Sequence, residues 1–157
     1  VPQKRRSLSC GEYSTLMNIL ALDLGERHIG VAVSDREENF ARGICVVDRN
    51  GREAERIAQI AQQYHVEKIV YGVPLRNDGS LAPSAAKLLC LVDTLKTLLS
   101  VEFVPWDERY TTMEAEHILV SANLSRHKRR RLRDKLAAQI ILQSYLDAKR
   151  PSSLEFL

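Results

Sequence analysis

The chain has 157 residues, of which 45% are hydrophobic and 27% are charged, and its formal net charge is +3. This length suits one domain with a sizeable core, and the mildly basic balance is weak evidence for an anionic partner. No segment carries about 18 uninterrupted apolar residues, so the sequence predicts no membrane-spanning helix.

The first three predicted elements are strands. Ile19–Leu24 is apolar on both faces, which is typical of a central strand. Gly25 opens a turn into a second strand, Ile29–Ser34, which is close enough in sequence to pair with the first as a hairpin. Gly43–Val47 predicts a third strand, and the turn signal Asn50-Gly51 follows it.

Helices and strands alternate in the remainder of the chain. Apolar spacing predicts helices over Glu53–Tyr64, from a Ser84 N-cap to about Leu99, over Thr112–Ser121 and over Arg133–Ala148. Short β-branched or aromatic runs predict strands at Lys68–Pro74 and Val101–Trp106. This order predicts a single α/β domain with a five-stranded mixed sheet, its first three strands antiparallel, flanked by helices.

The two ends of the chain fall outside this pattern. The basic segment before Met17 lacks the apolar stretch of a signal peptide, and we expect residues 1–16 to be a disordered extension or an expression remnant. Residues 17–149 would form the domain and residues 150–157 a tail. The cysteines Cys10, Cys45 and Cys90 fit neither a disulfide framework nor a zinc site. We interpret them as core thiols in a reducing cytoplasm.

Asp23 stands inside the apolar run LALDLG, where an ionised carboxylate needs a partner, a proton or a metal ion. It would lie near the end of the first strand. Asp107 and Glu108 follow the fifth strand, and Asp134 falls in the first turn of the last predicted helix. Sites in mixed α/β sheets form outside strand ends, so we expect these carboxylates to converge.

The small residues Ala137 and Ala138 follow Asp134 on the same helical face. They would let the last helix approach the sheet closely and bring Asp134 to Asp23. Converging carboxylates repel one another unless divalent cations neutralise them, and hard oxygen ligands favour Mg²⁺ or Mn²⁺. Two such ions, about 4 Å apart, support in-line hydrolysis of a phosphodiester.

Each carboxylate also has a structural interpretation. Asp134 could stabilise a helix N-terminus, Asp107 and Glu108 could be solvated loop charges, and Asp23 could be satisfied by polar neighbours. Spacing alone leaves these interpretations open. It also leaves open the choice between Asp107 and Glu108.

A basic segment, SRHKRRRLRDK, leads directly into Asp134. Such runs are usually solvated or disordered, but beside a metal site this one would hold phosphates. The four histidines show no ligand spacing, and we assign them no role. The candidate nucleic-acid contacts are Arg27, Arg109, Arg126, Lys128, Arg129, Arg130, Arg131 and Arg133.

Four segments, in order, resemble the YqgF/RuvX-type family of the RNase H-like superfamily. LALDLGERHIGVAVSD is similar to its D-x-G-x-[KR]-x-[IV]-G-V-A-x-S-D opening, and IVYGVPLRNDGS to its G-x-P-x-x-x-D-G-[ST] loop. DERYTTMEAE and RDKLAAQIILQSYLD resemble its two later motifs. The resemblance covers about Met17 to Asp147. One departure is Ala41-Arg42-Gly43, where family members often carry A-x-P.

The resemblance implies an RNase H-like fold and a metal-dependent nuclease. It assigns the catalytic and metal-binding roles to Asp23, Glu108 and Asp134, which selects Glu108 over Asp107. The family is associated with bacterial ribosome biogenesis, as a nuclease that matures the 5′ end of pre-16S rRNA. Its older description is Holliday junction resolvase, a DNA recombination activity.

Two other functions compete with the nuclease. A catalytically silent RNA-binding assembly module would have no need of three mutually repelling carboxylates. An actin-like ATPase shares the D-x-G turn, but it requires a second domain that 157 residues cannot supply. The sequence leaves the choice of RNA or DNA and the oligomeric state open.

Overall fold

The computed structural model describes residues 18–107 and 125–150. Within these ranges the strands are β1 (Asn18–Leu24), β2 (His28–Ser34), β3 (Ala41–Asp48), β4 (Val66–Val73) and β5 (Glu102–Asp107). The helices are α1 (Glu53–Gln63), α2 (Ala85–Leu98) and α3 (Arg126–Lys149). The helix expected over 112–121, the extension 1–16 and the tail after residue 150 lie outside the described residues. None of the helices described is both long and apolar enough to span a membrane.

The strands form one mixed sheet in the order β3-β2-β1-β4-β5. β2 is antiparallel to β1 and to β3, whereas β4 is parallel to β1 and β5 is parallel to β4. This arrangement confirms the predicted sheet with its three antiparallel strands at the start. The carboxyl ends of β1, β3, β4 and β5 meet at one edge, together with the β1–β2 turn. We refer to it as the C-terminal edge.

The two faces of the sheet bury separate cores, because side chains alternate between faces along a strand. α1 and α2 cover one face, and α3 covers the other. In β1, Leu20, Leu22 and Leu24 pack into the α1–α2 core, while Ile19 and Ala21 pack into the α3 core. The alternation changes phase within β3, where Ala41 packs into the α3 core and Val47 into the α1–α2 core.

The expected start of the last helix at Arg133 is wrong, because α3 begins at Arg126. The basic segment is therefore helical. Its first two turns lack the apolar spacing that was used to locate the helix, but arginine and lysine are good helix formers. Ser125 is the N-cap, and its side chain accepts a hydrogen bond from the Lys128 amide at 3.4 Å. Ser84 occupies the predicted N-cap position of α2, but its side chain makes no capping hydrogen bond.

α3 approaches the sheet most closely at Gly30 of β2. A Cβ atom added to Gly30 would lie 1.9 Å from the Asp134 carbonyl oxygen and 3.3 Å from the Ala138 Cβ atom. Ala137 and Ala138 are buried, as expected from their small size. Only a residue without a side chain at position 30 lets this helix turn rest directly on the strand.

The edge strand β3 is bound by two glutamines of α3. Gln143 Oε1 accepts a hydrogen bond from the Ala41 amide at 2.9 Å, and Gln139 Oε1 accepts one from the Gly43 amide at 3.1 Å. Both amides belong to the first half of β3. The side chains of α3 therefore satisfy backbone donors on the strand as well as covering the sheet.

We expect Gly30→Ala to lower the free energy of unfolding by about 1–3 kcal/mol, because the added methyl group displaces α3. Urea denaturation measures this loss. Gly43→Ala is the matched control, since its Cβ atom would lie 2.9 Å from the nearest backbone atom, the Lys135 carbonyl oxygen, and 2.7 Å from the flexible Lys135 side chain. Equal losses in the two variants would contradict the close contact at Gly30.

Candidate active site at the C-terminal edge

Asp23 is the penultimate residue of β1, beside the C-terminal edge. It is half-buried, and its register partner in β2 is Gly30. It follows Ile19 and Ala21 in the alternation of β1, so its side chain belongs to the face that α3 covers. The strand thus directs this carboxylate towards the helix.

Asp134 is the ninth residue of α3, well beyond the first turn. The interpretation that it stabilises a helix N-terminus is therefore wrong, since that effect is confined to the first turn. The Asp134 backbone rests on Gly30, the direct neighbour of Asp23 across the β1–β2 pair. One close contact between helix and strand thus places the Asp134 backbone beside the strand partner of Asp23.

The Asp134 side chain is 17% exposed. Burial raises the pKa of its carboxyl group, because desolvation penalises the charged form. The charges of Arg133, His28 and Arg130 act in the opposite direction and lower it, and the nearest of these contacts is Arg133 Nε to Asp134 Oδ1 at 3.9 Å. The net effect is a raised pKa, so a further cation near Asp134 would stabilise the ionised form.

Asp107 lies on the opposite face of the sheet. In β5, Val104 and Trp106 pack against the α3 core, whereas Phe103 packs against the α1–α2 core, and Asp107 has the parity of Phe103. Glu108 and Arg109 lie outside the described residues. Among residues 18–107 and 125–150, no group of three or more histidine, cysteine, aspartate or glutamate side chains is arranged to hold a metal ion.

A cleft of about 420 Å³ opens beside Asp134 at the C-terminal edge. The β1–β2 turn forms one wall and α3 forms the other. Gly25 keeps this turn tight, since a Cβ atom there would lie 2.4 Å from the His28 carbonyl oxygen. We refer to it as the α3 cleft, and its lining residues are Gly25, Glu26, Arg27, His28, Arg130, Arg133 and Asp134.

The α3 cleft contains three of the predicted phosphate contacts, Arg27, Arg130 and Arg133. The other described basic residues of the segment do not line it. Arg126 and Lys128 are exposed in the first turn of α3, and Arg129 is half-buried. Arg131 Nη2 lies 3.6 Å from Asp48 Oδ1. Of the predicted contacts in the basic segment, therefore, only Arg130 and Arg133 line the α3 cleft.

His28 is a site residue that the sequence analysis missed. It lines the α3 cleft, and its Nδ1 atom hydrogen-bonds Asp48 Oδ1 at 2.9 Å. Asp48 is its register partner in β3 and also contacts Arg131. The contact between His28 and Asp48 could be inferred only from the pairing of β2 with β3, because the two residues are 20 positions apart in the sequence.

The chain is similar to one known family over most of its length. The sequence profile of the family described as "RuvX: Holliday junction resolvase" matches residues 17–148. The chain belongs to this RuvX family. A Thermoanaerobacter pseudethanolicus relative is 42% identical over 85% of this chain and 99% of its own length. A Bacillus cytotoxicus relative is 40% identical over 85% of this chain and all of its own length, and both carry the name "Putative pre-16S rRNA nuclease".

Two solved structures share the fold of this RuvX-family chain. Thermus thermophilus RuvC with a Holliday junction substrate has a TM-score of 0.52 at 15% identity, covering 85% of this chain and 95% of RuvC. Fowlpox virus resolvase with junction DNA has a TM-score of 0.55 at 12% identity, covering 84% and 98%. The RNase H-like fold implied by the sequence resemblance is confirmed.

We expect Asp134→Asn to unfold at the same or a higher urea concentration than wild type at pH 7 in EDTA. The native state holds the Asp134 proton more tightly than the unfolded chain does. Wild-type stability therefore falls as pH rises from the unfolded pKa, about 3.9, through the raised native pKa. The difference in stability between the variant and wild type should shrink as pH falls towards about 4. A variant less stable than wild type at pH 7 would contradict the unfavourable burial of this charge.

Proposed function

We propose that this RuvX-family protein is a divalent-metal-dependent nuclease that processes the 5′ end of pre-16S rRNA. The observation that carries the proposal is the contact of Asp134 with Gly30, the strand partner of Asp23, beside a cleft lined by three arginines. The names of the relatives support RNA as the substrate. A location in the cytoplasm, where cysteines stay reduced, is part of the same proposal.

Asp23, Glu108 and Asp134 are the proposed metal ligands, and two Mg²⁺ or Mn²⁺ ions are the proposed cofactors. The described members fit a hard cation, because both are carboxylates. Burial raises the pKa of Asp134, and a cation would offset that cost. Bound ions would neutralise the carboxylates, activate water for in-line attack and stabilise the leaving oxygen.

The protein itself would supply position and charge. Asp23 is fixed by a central strand and Asp134 by the helix that rests on Gly30, so neither carboxylate depends on a loop. Arg27, Arg130 and Arg133 would bind the phosphate next to these carboxylates. Phosphates further along the nucleic acid would be contacted by the other predicted cations, Arg126, Lys128, Arg129 and Arg131, and by Arg109, which lies outside the described residues.

Cleavage of four-way DNA junctions is the second candidate, and the description of the matching family favours it. Metal-carboxylate hydrolysis of a phosphodiester does not itself distinguish RNA from DNA. A silent RNA-binding module is the third candidate. The three functions differ in which substrate is cut and in whether cutting requires the carboxylates.

We expect Asp23→Asn to reduce cleavage by more than about a hundredfold, because the bound cations would lose a ligand. Two labelled substrates are incubated with Mg²⁺ or Mn²⁺, one an RNA spanning the 5′ boundary of 16S rRNA and the other a four-way DNA junction. Cutting of the RNA alone by wild type supports rRNA processing. Paired, symmetric cutting of the junction supports the resolvase, and binding without cutting supports the silent module.

Asp107→Asn is the matched control for that experiment. Asp107 ends β5, two strands away from β1, and has the parity of the face away from α3, so this variant should cut at the wild-type rate. Urea denaturation establishes that both variants are folded. An unchanged rate in folded Asp23→Asn would refute the assignment of Asp23.

A second prediction concerns the arginines of α3. Arg130→Gln combined with Arg133→Gln should weaken RNA binding about tenfold at low salt and reduce the slope of log affinity against log salt by about 1.4, because two phosphate contacts are lost. Arg131 faces Asp48, so Arg131→Gln should weaken RNA binding less than Arg130→Gln or Arg133→Gln alone. Equal losses for Arg130→Gln and Arg131→Gln would contradict the special position of the cleft residues.

A further inference from the structure

A second cleft, of about 470 Å³, lies on the other side of the β1–β2 turn. We refer to it as the α2 cleft. It is formed where the turn, the β3–α1 connection and the start of α2 meet. Its lining residues are Glu26, Arg27, Arg49, Glu53, Ser84, Lys87 and Leu88.

Arg49 and Glu53 form the wall of the α2 cleft and largely cancel each other's charge. Arg49 Nε lies 3.6 Å from Glu53 Oε1, and the two side chains are 18% and 15% exposed. Burial works against ionisation of Glu53, but hydrogen bonds from backbone amides and the charge of Arg49 outweigh it and lower its pKa. Arg27 and Lys87 are exposed at the mouth and outnumber the remaining carboxylate, Glu26. The cleft therefore favours an anion.

The β1–β2 turn, which lies between the two clefts, is held in place by Arg49. The Arg49 amide donates to the Arg27 carbonyl oxygen at 2.9 Å, and Arg49 Nη1 donates to the Gly25 carbonyl oxygen at 3.4 Å. The backbone that carries Arg27 is thus fixed to the β3–α1 connection. Arg27 lines both clefts, so its position relates one cleft to the other.

The start of α2 is positioned by the loop that precedes it. Leu75 and Leu81 form a β-bridge, and the Ala82 amide donates to the Pro74 carbonyl oxygen at 2.9 Å. The loop contains the segment RNDGS, for which the cleavage chemistry has no use. The conformation of this loop brings Ser84 and Lys87 to the α2 cleft. The segment therefore helps to position the positive charge of Lys87.

We propose that the α2 cleft is a second phosphate-binding subsite for the same nucleic-acid strand that is cut beside Asp134. This inference rests on the proposed function. The strand would cross the β1–β2 turn at Arg27, with the cleaved phosphate in the α3 cleft and a neighbouring phosphate on Lys87. Glu26, which is exposed and lines both clefts as Arg27 does, would offset part of the positive charge along that path.

The test is the binding of fluorescently labelled oligouridylates of 2 and 12 nucleotides in EDTA, measured by anisotropy over a range of salt concentrations. Lys87→Gln should weaken binding of the 12-mer about threefold to tenfold at low salt and lower its salt slope by about 0.7, because one phosphate contact is lost. Binding of the 2-mer, whose single internucleotide phosphate cannot occupy both clefts, should stay at the wild-type level.

Lys96→Gln is the matched control. It removes the same charge from the last turn of the same helix, where Lys96 Nζ lies 5.9 Å from the centre of the Phe103 ring. Equal affinities of Lys87→Gln and Lys96→Gln for the 12-mer would overturn the subsite.

The arginine variant of α3 separates this failure from failure of the proposed function. If Arg130→Gln with Arg133→Gln weakens binding while Lys87→Gln does not, only the subsite is refuted. If wild type binds neither oligonucleotide, the proposed function and the subsite are both refuted. An equal loss for the 2-mer and the 12-mer in Lys87→Gln would refute a separate subsite outside the cleavage position.

Discussion

The close contact between α3 and Gly30 is the constraint on which the remainder of the structure depends. The Asp134 carbonyl oxygen occupies the space that any side chain at position 30 would need. That contact sets the height of α3 above the sheet and so the thickness of the core beneath it, where Ala138 and Ile141 are fully buried. It also sets the position of Asp134 relative to Asp23. Packing and site geometry therefore have one common origin.

The electrostatics of the site follow from that packing. A helix held so close to the sheet removes water from Asp134, and the charged form becomes harder to maintain. Nearby charges from α3 and from His28 of β2 reduce the cost without removing it. Such a position is unfavourable for a purely structural aspartate. It is suitable for a carboxylate whose charge is needed by a ligand.

The sequence was sufficient for much of the fold because its strands are short, apolar and separated by clear turn signals. Asp23 was identified as a site candidate because a carboxylate in a central strand is costly to bury. The start of α3 was missed, since helical spacing of apolar residues detects only the part of a helix that packs on a core. Arginine-rich turns that extend into solvent have no such spacing.

The remaining parts of the site depend on contacts between elements that are distant in the sequence. His28 joins the α3 cleft through a partner in β3, and the strand register that pairs them is set by the whole hairpin. The α2 cleft likewise needs a turn, a connection and a helix start to meet. Glu108 was selected through family resemblance, because the residues around it gave no reason to prefer it to Asp107.

The glutamines that bind β3 affect how copies of this chain can meet. β3 is an edge strand, and exposed backbone donors at a sheet edge invite strand addition by another chain. Gln139 and Gln143 already occupy the amides of Gly43 and Ala41, so a second strand could pair there only by displacing both side chains. Continuation of the sheet from one molecule into the next is disfavoured along this half of β3. Continuation of the sheet between molecules would therefore have to use the remainder of β3 or the other edge strand, β5.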